Sequence, residues 1–324
     1  MLVPVLLFLV GFALLIKGGD WFVDGAVGIA HRFHLPELLI GATIVSIGTT
    51  LPEVMVSAQA AAEGNAGISY GNAIGTIICN TSLIAALTVA IRPGKVDPKS
   101  FRLPTAFFFA AALSYAVIAW TLGRFERWMG IVYLCVFVGY MILSTMQMKK
   151  HPDLAAEEGE EESKSGETPL WKELALLVVG AAAIALGARF LVDNGTLIAA
   201  ALGVPDSVIG LTMVALGTSL PELITAITSL IKGHGALSLG NIIGANLFNI
   251  ILVSGMAITI APFAVPAEKT IAGFNSSLVV DLPVMFAVMA ILCLPTLKSG
   301  KLRRIQGVLL LAIYAAFTVY QFVS

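Results

Sequence analysis

Gly48-Thr49-Thr50-Leu51-Pro52-Glu53 returns as Gly217-Thr218-Ser219-Leu220-Pro221-Glu222, each time inside a long apolar stretch. Offsetting the chain by 169 residues aligns 17–80 with 186–249 without a gap, and 22 of those 64 pairs are identical. Self-similarity at one fixed spacing marks a tandem duplication. Each copy sets a glutamate beside a proline at what reads as membrane depth. An acidic side chain such as Asp costs about 2.5–3.5 kcal/mol there on insertion scales, so two at equivalent positions point to a shared ion-handling site.

The surrounding composition supports that depth. Of 324 residues, 58% are hydrophobic and only 12% charged, and the mean hydropathy is +0.92. Soluble domains carry about 25% charged residues, so an integral membrane protein is expected. A helix needs about 20 apolar residues to cross the hydrocarbon core. Charged, proline and glycine clusters divide the chain into ten such spans, at 2–29, 37–62, 71–91, 103–122, 128–147, 170–200, 207–231, 236–261, 276–296 and 305–323. The first run has no basic flank and no small-residue cleavage site, and its second half belongs to the repeat, so it reads as a span rather than a removable signal. Cys79, Cys135 and Cys293 all fall in apolar runs without paired spacing and read as packing residues. No basic stripe suggests nucleic acid.

Cytoplasmic loops carry excess Lys and Arg. With the N-terminus outside, the inward loops hold Arg32, Arg92, Lys95, Lys99, Arg102, Lys149, Lys150, Lys164, Lys172, Lys232, Lys298, Lys301, Arg303 and Arg304. Outward loops hold only Arg124, Arg127 and Lys269. Both termini are therefore expected outside.

Five spans precede the hydrophilic stretch 149–169 and five follow it, which gives an all-α polytopic protein of two five-helix repeats, 1–148 and 170–324. An odd number of spans per repeat inverts the second copy, an arrangement recurrent in secondary transporters with midplane binding sites. The stretch between holds Asp153, Glu157, Glu158, Glu160, Glu161, Glu162 and Glu167. It lacks the spacing of a calcium loop and reads as a solvated acidic linker on the cytoplasmic side.

In each repeat the proline should break or kink its helix, because it removes one backbone hydrogen bond and crowds another carbonyl. Irregular backbone at this depth is tolerated where it is buried in protein or lines a cavity. The hydroxyls of Thr49, Thr50, Thr218 and Ser219 lie within one turn of Glu53 and Glu222. The next span supplies Thr76 and Asn80 in the first repeat, and Ala245 and Asn249 in the second, each pair on one helical face. Asn80 and Asn249 lean towards the glutamates. Asn72 and Asn241 either satisfy irregular backbone or act as ligands. These donors are all oxygens, which suits hard cations and above all Ca2+.

Zinc or copper would want imidazole or thiolate, and His31, His34, His151 and His234 all fall in expected loops away from the glutamates, where they read as surface groups. Asp24 and Asp193 are repeat-equivalent, and Asp20 aligns with Arg189. Near span ends and beside Lys17 or Arg189, these acids read as structural ion pairs or interfacial groups.

The segments Gly-Ala-Thr-Ile-Val-Ser-Ile-Gly-Thr-Thr-Leu-Pro-Glu at 41–53 and Gly-Leu-Thr-Met-Val-Ala-Leu-Gly-Thr-Ser-Leu-Pro-Glu at 210–222 resemble the repeat motifs of the calcium/cation antiporter superfamily, in particular its prokaryotic sodium/calcium exchanger branch. The resemblance covers nearly the whole chain. It implies ten spans, a cluster of cation sites built by the second, third, seventh and eighth helices, and sliding of the first and sixth helices across the rest. Carried over by motif, Glu53 and Glu222 would be the main calcium ligands. Thr49 and Thr218 would serve calcium or sodium, Thr50 and Ser219 sodium, and the backbone carbonyls of Ser46 and Ala215 would contribute. Thr76, Asn80 and Asn249 fill the remaining matching positions.

Two departures stand out. Ala245 offers no side-chain oxygen where members of this branch often carry Ser, and Asn249 stands where some carry Asp. Sodium coupling with another stoichiometry stays open, as does proton coupling through the two glutamates. Against protons, the chain reads Gly71-Asn72-Ala73-Ile74-Gly75 where the calcium/proton branch carries Gly-Asn-Ala-Thr-Glu. The expected function is secondary antiport of Ca2+ for Na+ by alternating access, without a cofactor, in a prokaryotic inner membrane. The rivals are a Ca2+/H+ antiporter using the same glutamates, a passive cation channel, and an intramembrane hydrolase. The last is disfavoured because a catalytic pair must reach a water and a scissile bond, whereas hydroxyls around two carboxylates suit coordination.

Overall fold

Within hydrocarbon the backbone can satisfy its N–H and C=O groups only internally, so long runs of Leu, Val, Ile, Ala and Gly cross as helices. The computed structural model describes residues 2–150, 169–202, 215–267, 270–271 and 273–323. Among them, nine helices are long and apolar enough to span: α1 (Leu2–Arg32), α2 (Glu37–Ala62), α3 (Ala66–Ile91), α4 (Pro98–Leu122), α5 (Arg127–Met148), α6 (Leu170–Ala201), α8 (Gly235–Ile260), α9 (Ser277–Ser299) and α10 (Arg304–Gln321). Between α6 and α8 lies α7 (Ala215–Ile231). The expected seventh span begins earlier, but residues 207–214 lie outside the described residues, as does nearly all of the acidic linker.

Contacts between loops show which helix ends share a face. On one face Arg92 donates to the Leu230 carbonyl, Arg304 to the Ile91 carbonyl, and Gln147 to the Lys99 carbonyl. A bridge also joins Lys95 to Lys301 there. On the other face Arg124–Phe125 pairs antiparallel with Phe263–Ala264, and Arg127 donates to the Ile260 carbonyl. These two-residue strand pairs, with Thr270–Ile271 against Phe274–Asn275, are the extended segments the all-α expectation did not include. The first face is the one to which the charge pattern assigns most of the Lys and Arg.

Helices α3 and α8 are the most buried spans, and α10 and α1 the most exposed. Helices α3 and α8, which carry Asn80 and Asn249, thus form the centre. Against them lies α1 packed along α6, and their contact is reciprocal. Gly11 meets Gly187, and Gly18 meets Gly180. Under the 169-residue offset Gly11 corresponds to Gly180 and Gly18 to Gly187, so each of the two touches the counterpart of the other. That is the signature of an isologous contact across a two-fold axis. The numbering runs in opposite senses along the two helices, so these equivalent spans are antiparallel, as inverted repeats require. By contrast α2 and α8 run parallel, with Gly240 against Leu38 and Gly244 against Ala42.

The duplication is visible in local geometry too. A π turn at Asn80–Ala85 in α3 recurs at Asn249–Ser254 in α8, 169 residues on. The expected break does not fall at Pro52. The helix runs through Pro52, and the irregular turn lies upstream as a π turn at Gly41–Val45. A π turn sets backbone carbonyls out of α register. Two of these find side chains: Tyr140 donates to the Ala42 carbonyl at 3.0 Å and the Ser46 hydroxyl to the Gly41 carbonyl at 2.7 Å.

Candidate functional site

Glu53 on α2 and Glu222 on α7 are both 0% exposed. None of their four carboxyl oxygens accepts a hydrogen bond from the described residues. The two groups are close enough to act on each other electrostatically. A buried polar group is ordinarily hydrogen-bonded, so a pair of bare carboxyls is built for something other than the protein's own donors.

The neighbouring oxygens repeat the pattern. Thr50 Oγ1, Ser219 Oγ, both amide atoms of Asn80 and the Oδ1 of Asn249 are buried without a partner among the described residues. Asn249 donates its Nδ2 to the Ala245 carbonyl at 2.9 Å, which fixes the amide and leaves its oxygen as the open atom. Asn80 and Asn249 each begin their π turn. Thr76 is buried one turn before Asn80. Thr49 faces the Glu222 carboxyl and donates to Asn241 Oδ1 at 3.1 Å. The arrangement therefore offers two carboxylates, hydroxyls and amide oxygens. Among the described residues no group of three or more His, Cys, Asp or Glu side chains is placed to hold a metal. A hard cation fits this donor set, and imidazole or thiolate chemistry does not.

The other expected positions sort themselves. The Ser46 hydroxyl is engaged, with the Asn241 carbonyl at 2.9 Å as well as that of Gly41. Ala215 and Thr218 lie in the first turn of α7, and their side chains are outside the description. Ala245 is fully buried and brings no side-chain oxygen. Asn72 takes the backbone role: its Nδ2 donates to the Glu53 carbonyl at 3.1 Å and to Ser57 Oγ at 2.9 Å.

The titratable groups outside the site differ in part from the sequence reading. Lys17 lies 3.9 Å from Asp20, and Arg189 3.6 Å from Asp193, as local ion pairs. Asp24 takes a distant partner instead, with Lys232 Nζ at 2.7 Å and Asp20 at 3.4 Å from the same nitrogen. His31 and His234 are not free surface residues. Both are part-buried and flank Glu37, at 3.5 Å and 2.8 Å. Beside them Arg32 holds Glu173 through Nε at 2.9 Å and Nη2 at 3.3 Å. Spacing gave no sign of these contacts, because they join residues as far apart as 212 positions.

The sequence pattern of the sodium/calcium exchanger protein family matches residues 3–146 and 172–323. The chain belongs to this family. Putative antiporter CaxA of Alkalimonas amylolytica is 37% identical over 326 residues, 99% of this chain and 98% of that protein. Sodium/calcium exchanger MaX1 of Methanosarcina acetivorans is 31% identical over 350 residues, 98% of each chain. A solved structure of the sodium-calcium exchanger NCX_Mj, soaked with Na+ and Sr2+, matches with a TM-score of 0.81 and 33% identity over 97% of both chains. As a member of the sodium/calcium exchanger family, the protein is a polytopic transporter and not one of an enzyme class.

Proposed function

We propose that this exchanger carries Ca2+ and Na+ in opposite directions through one central site that opens alternately to the two sides. Glu53 and Glu222 are the principal Ca2+ ligands in this reading. Thr49, Thr50, Thr218, Ser219, Thr76, Asn80 and Asn249 surround them, and the Ser46 and Ala215 carbonyls contribute. The observation that carries the reading is the pair of fully buried carboxyl groups that accept no hydrogen bond from the described residues, set among unpartnered oxygens. Empty, the two charges repel in a low-dielectric setting and resist crossing. Filled by Ca2+ or by several Na+, they are compensated, and obligatory exchange follows without covalent chemistry.

The proposed setting is a prokaryotic inner membrane, with both termini outside and the basic loops in the cytoplasm. The test is reconstitution in liposomes, with Ca2+ uptake driven by an outward Na+ gradient at clamped voltage. Glu53→Gln and Glu222→Gln keep size and remove charge, and each is expected to abolish uptake while the protein stays folded. Normal flux in both variants would sink the assignment.

Proton coupling is the second reading. It is favoured by Ala245 and Asn249, which stand where members of the branch this chain resembles often carry Ser and some carry Asp. Buried glutamates can carry protons. Uptake driven by a proton gradient and indifferent to Na+ would establish it. Flux that needs no counter-ion would instead indicate a channel.

A further inference from the structure

Asn72 and Asn241 are repeat counterparts, yet they do different work. Asn72 uses its amide nitrogen to tether the Glu53 carbonyl and Ser57 Oγ, both on α2 of its own repeat. The counterpart of Ser57 is Ala226, which is fully buried and has no hydroxyl. Asn241 thus lacks one of the partners its symmetry mate uses, and its Nδ2 is buried without a partner among the described residues. Its oxygen turns instead to the other repeat. Asn241 Oδ1 accepts from Thr49 Oγ1 at 3.1 Å and lies 3.3 Å from Ser46 Oγ.

A threonine hydroxyl has one proton and two lone-pair directions. To coordinate a cation it must point oxygen at the ion and send its proton elsewhere. Thr49 has two takers for that proton, the Glu222 carboxyl it faces and Asn241 Oδ1. With a cation present, the carboxylate oxygens are committed to the ion, and only Asn241 remains. Ser46 competes little for the same oxygen, because its hydroxyl has closer acceptors in the Gly41 and Asn241 carbonyls, at 2.7 and 2.9 Å.

We propose that Asn241 is a positioning residue for cation binding: by accepting the Thr49 proton it holds the Thr49 oxygen lone pairs towards the ion shared by Glu53 and Glu222. The proposal rests on the cation-site reading above. Partners of this kind behind a ligand are worth about 10- to 100-fold in metal affinity. The link crosses between repeats, so it also ties the α2 half of the site to α8.

The test is a double-mutant cycle read by equilibrium Ca2+ binding to the purified full-length protein, using calorimetry in detergent. Thr49→Val and Asn241→Leu are each expected to weaken Ca2+ binding by about tenfold. Together they should be no worse than the weaker single variant, because each removes the same oriented oxygen. Asn72→Leu, whose contacts are to backbone and Ser57, should instead multiply its effect with that of Thr49→Val. If Asn241→Leu folds poorly by thermal unfolding, Asn241→Ala takes its place in the cycle. A side chain that merely packs α2 on α8 would weaken the protein equally with or without Thr49, so a multiplicative cycle overturns the proposal. Ca2+ binding with such a cycle leaves the functional reading intact, whereas no Ca2+ binding by the wild type removes both.

Discussion

Ala245 breaks the symmetry of the candidate site, standing where the first repeat has Thr76. It is buried on α8 one turn before Asn249, whose Nδ2 takes its carbonyl. Ala245→Ser adds one hydroxyl oxygen there, and the expected outcome is a several-fold drop in the Na+ concentration that half-inhibits Ca2+ uptake, with Ca2+ affinity little changed. Unchanged sodium affinity and cooperativity would mean that this position does not face a transported ion. Much of the candidate site is legible in the sequence because the repeat marks it: Glu53 with Glu222, Thr50 with Ser219 and Asn80 with Asn249 stand out as polar pairs in apolar surroundings. What spacing leaves open is the division of labour between Asn72 and Asn241. That depends on how α2 crosses α8 and on the loss of a hydroxyl at Ala226, and neither is a matter of periodicity. The partners of His31, His234 and Lys232 are hidden for the same reason.

At the scale of the element, proline predicts a disturbance but not its form. Pro52 cannot donate, yet α2 stays helical through it even though Leu51 and Met55 beside it are exposed, and the irregular turn lies upstream at Gly41–Val45. Pro52→Ala restores a donor in mid-helix. It is expected to raise thermal stability and to slow exchange, with both measured on the same reconstituted protein, and faster exchange would argue against a role for this irregular segment. The small-residue seam of α1 and α6 is a second element-scale device, since close approach of helices in lipid depends on small side chains. A Cβ on Gly180 would run into the Phe22 backbone. Gly180→Leu should force the helices apart at a cost of about 1–3 kcal/mol, seen as a lowered midpoint of thermal unfolding, together with lost transport. Retention of both would mean that the two helices do not need this approach.

For the whole molecule, the span count and the inversion follow from hydropathy and an odd number of crossings, so the architecture is the most legible level of all. The loop contacts agree with that alternation wherever residues are described. Orientation is the prediction that belongs here: a cysteine placed by Arg124→Cys should react with a membrane-impermeant thiol reagent on intact cells, and one placed by Lys298→Cys only after permeabilisation. The reverse pattern would invert the protein. Charge gives another. The central pair carries −2 when ionised, so a Ca2+-loaded site is neutral, and Ca2+ exchanging for Ca2+ should proceed at the same rate whatever the membrane potential. A voltage-dependent rate would show that some further charge travels with the ion.

The reciprocal meeting of Gly11 with Gly187 and Gly18 with Gly180 has a consequence for how such a transporter can change. Two identical chains related by a dyad must accept every substitution twice, once at each membrane surface. Joined in one polypeptide, the halves are released from that obligation, so one half can be altered while the other is kept. Ala226 opposite Ser57 and Ala245 opposite Thr76 are such one-sided changes. The molecule keeps a two-fold plan while its two halves diverge separately.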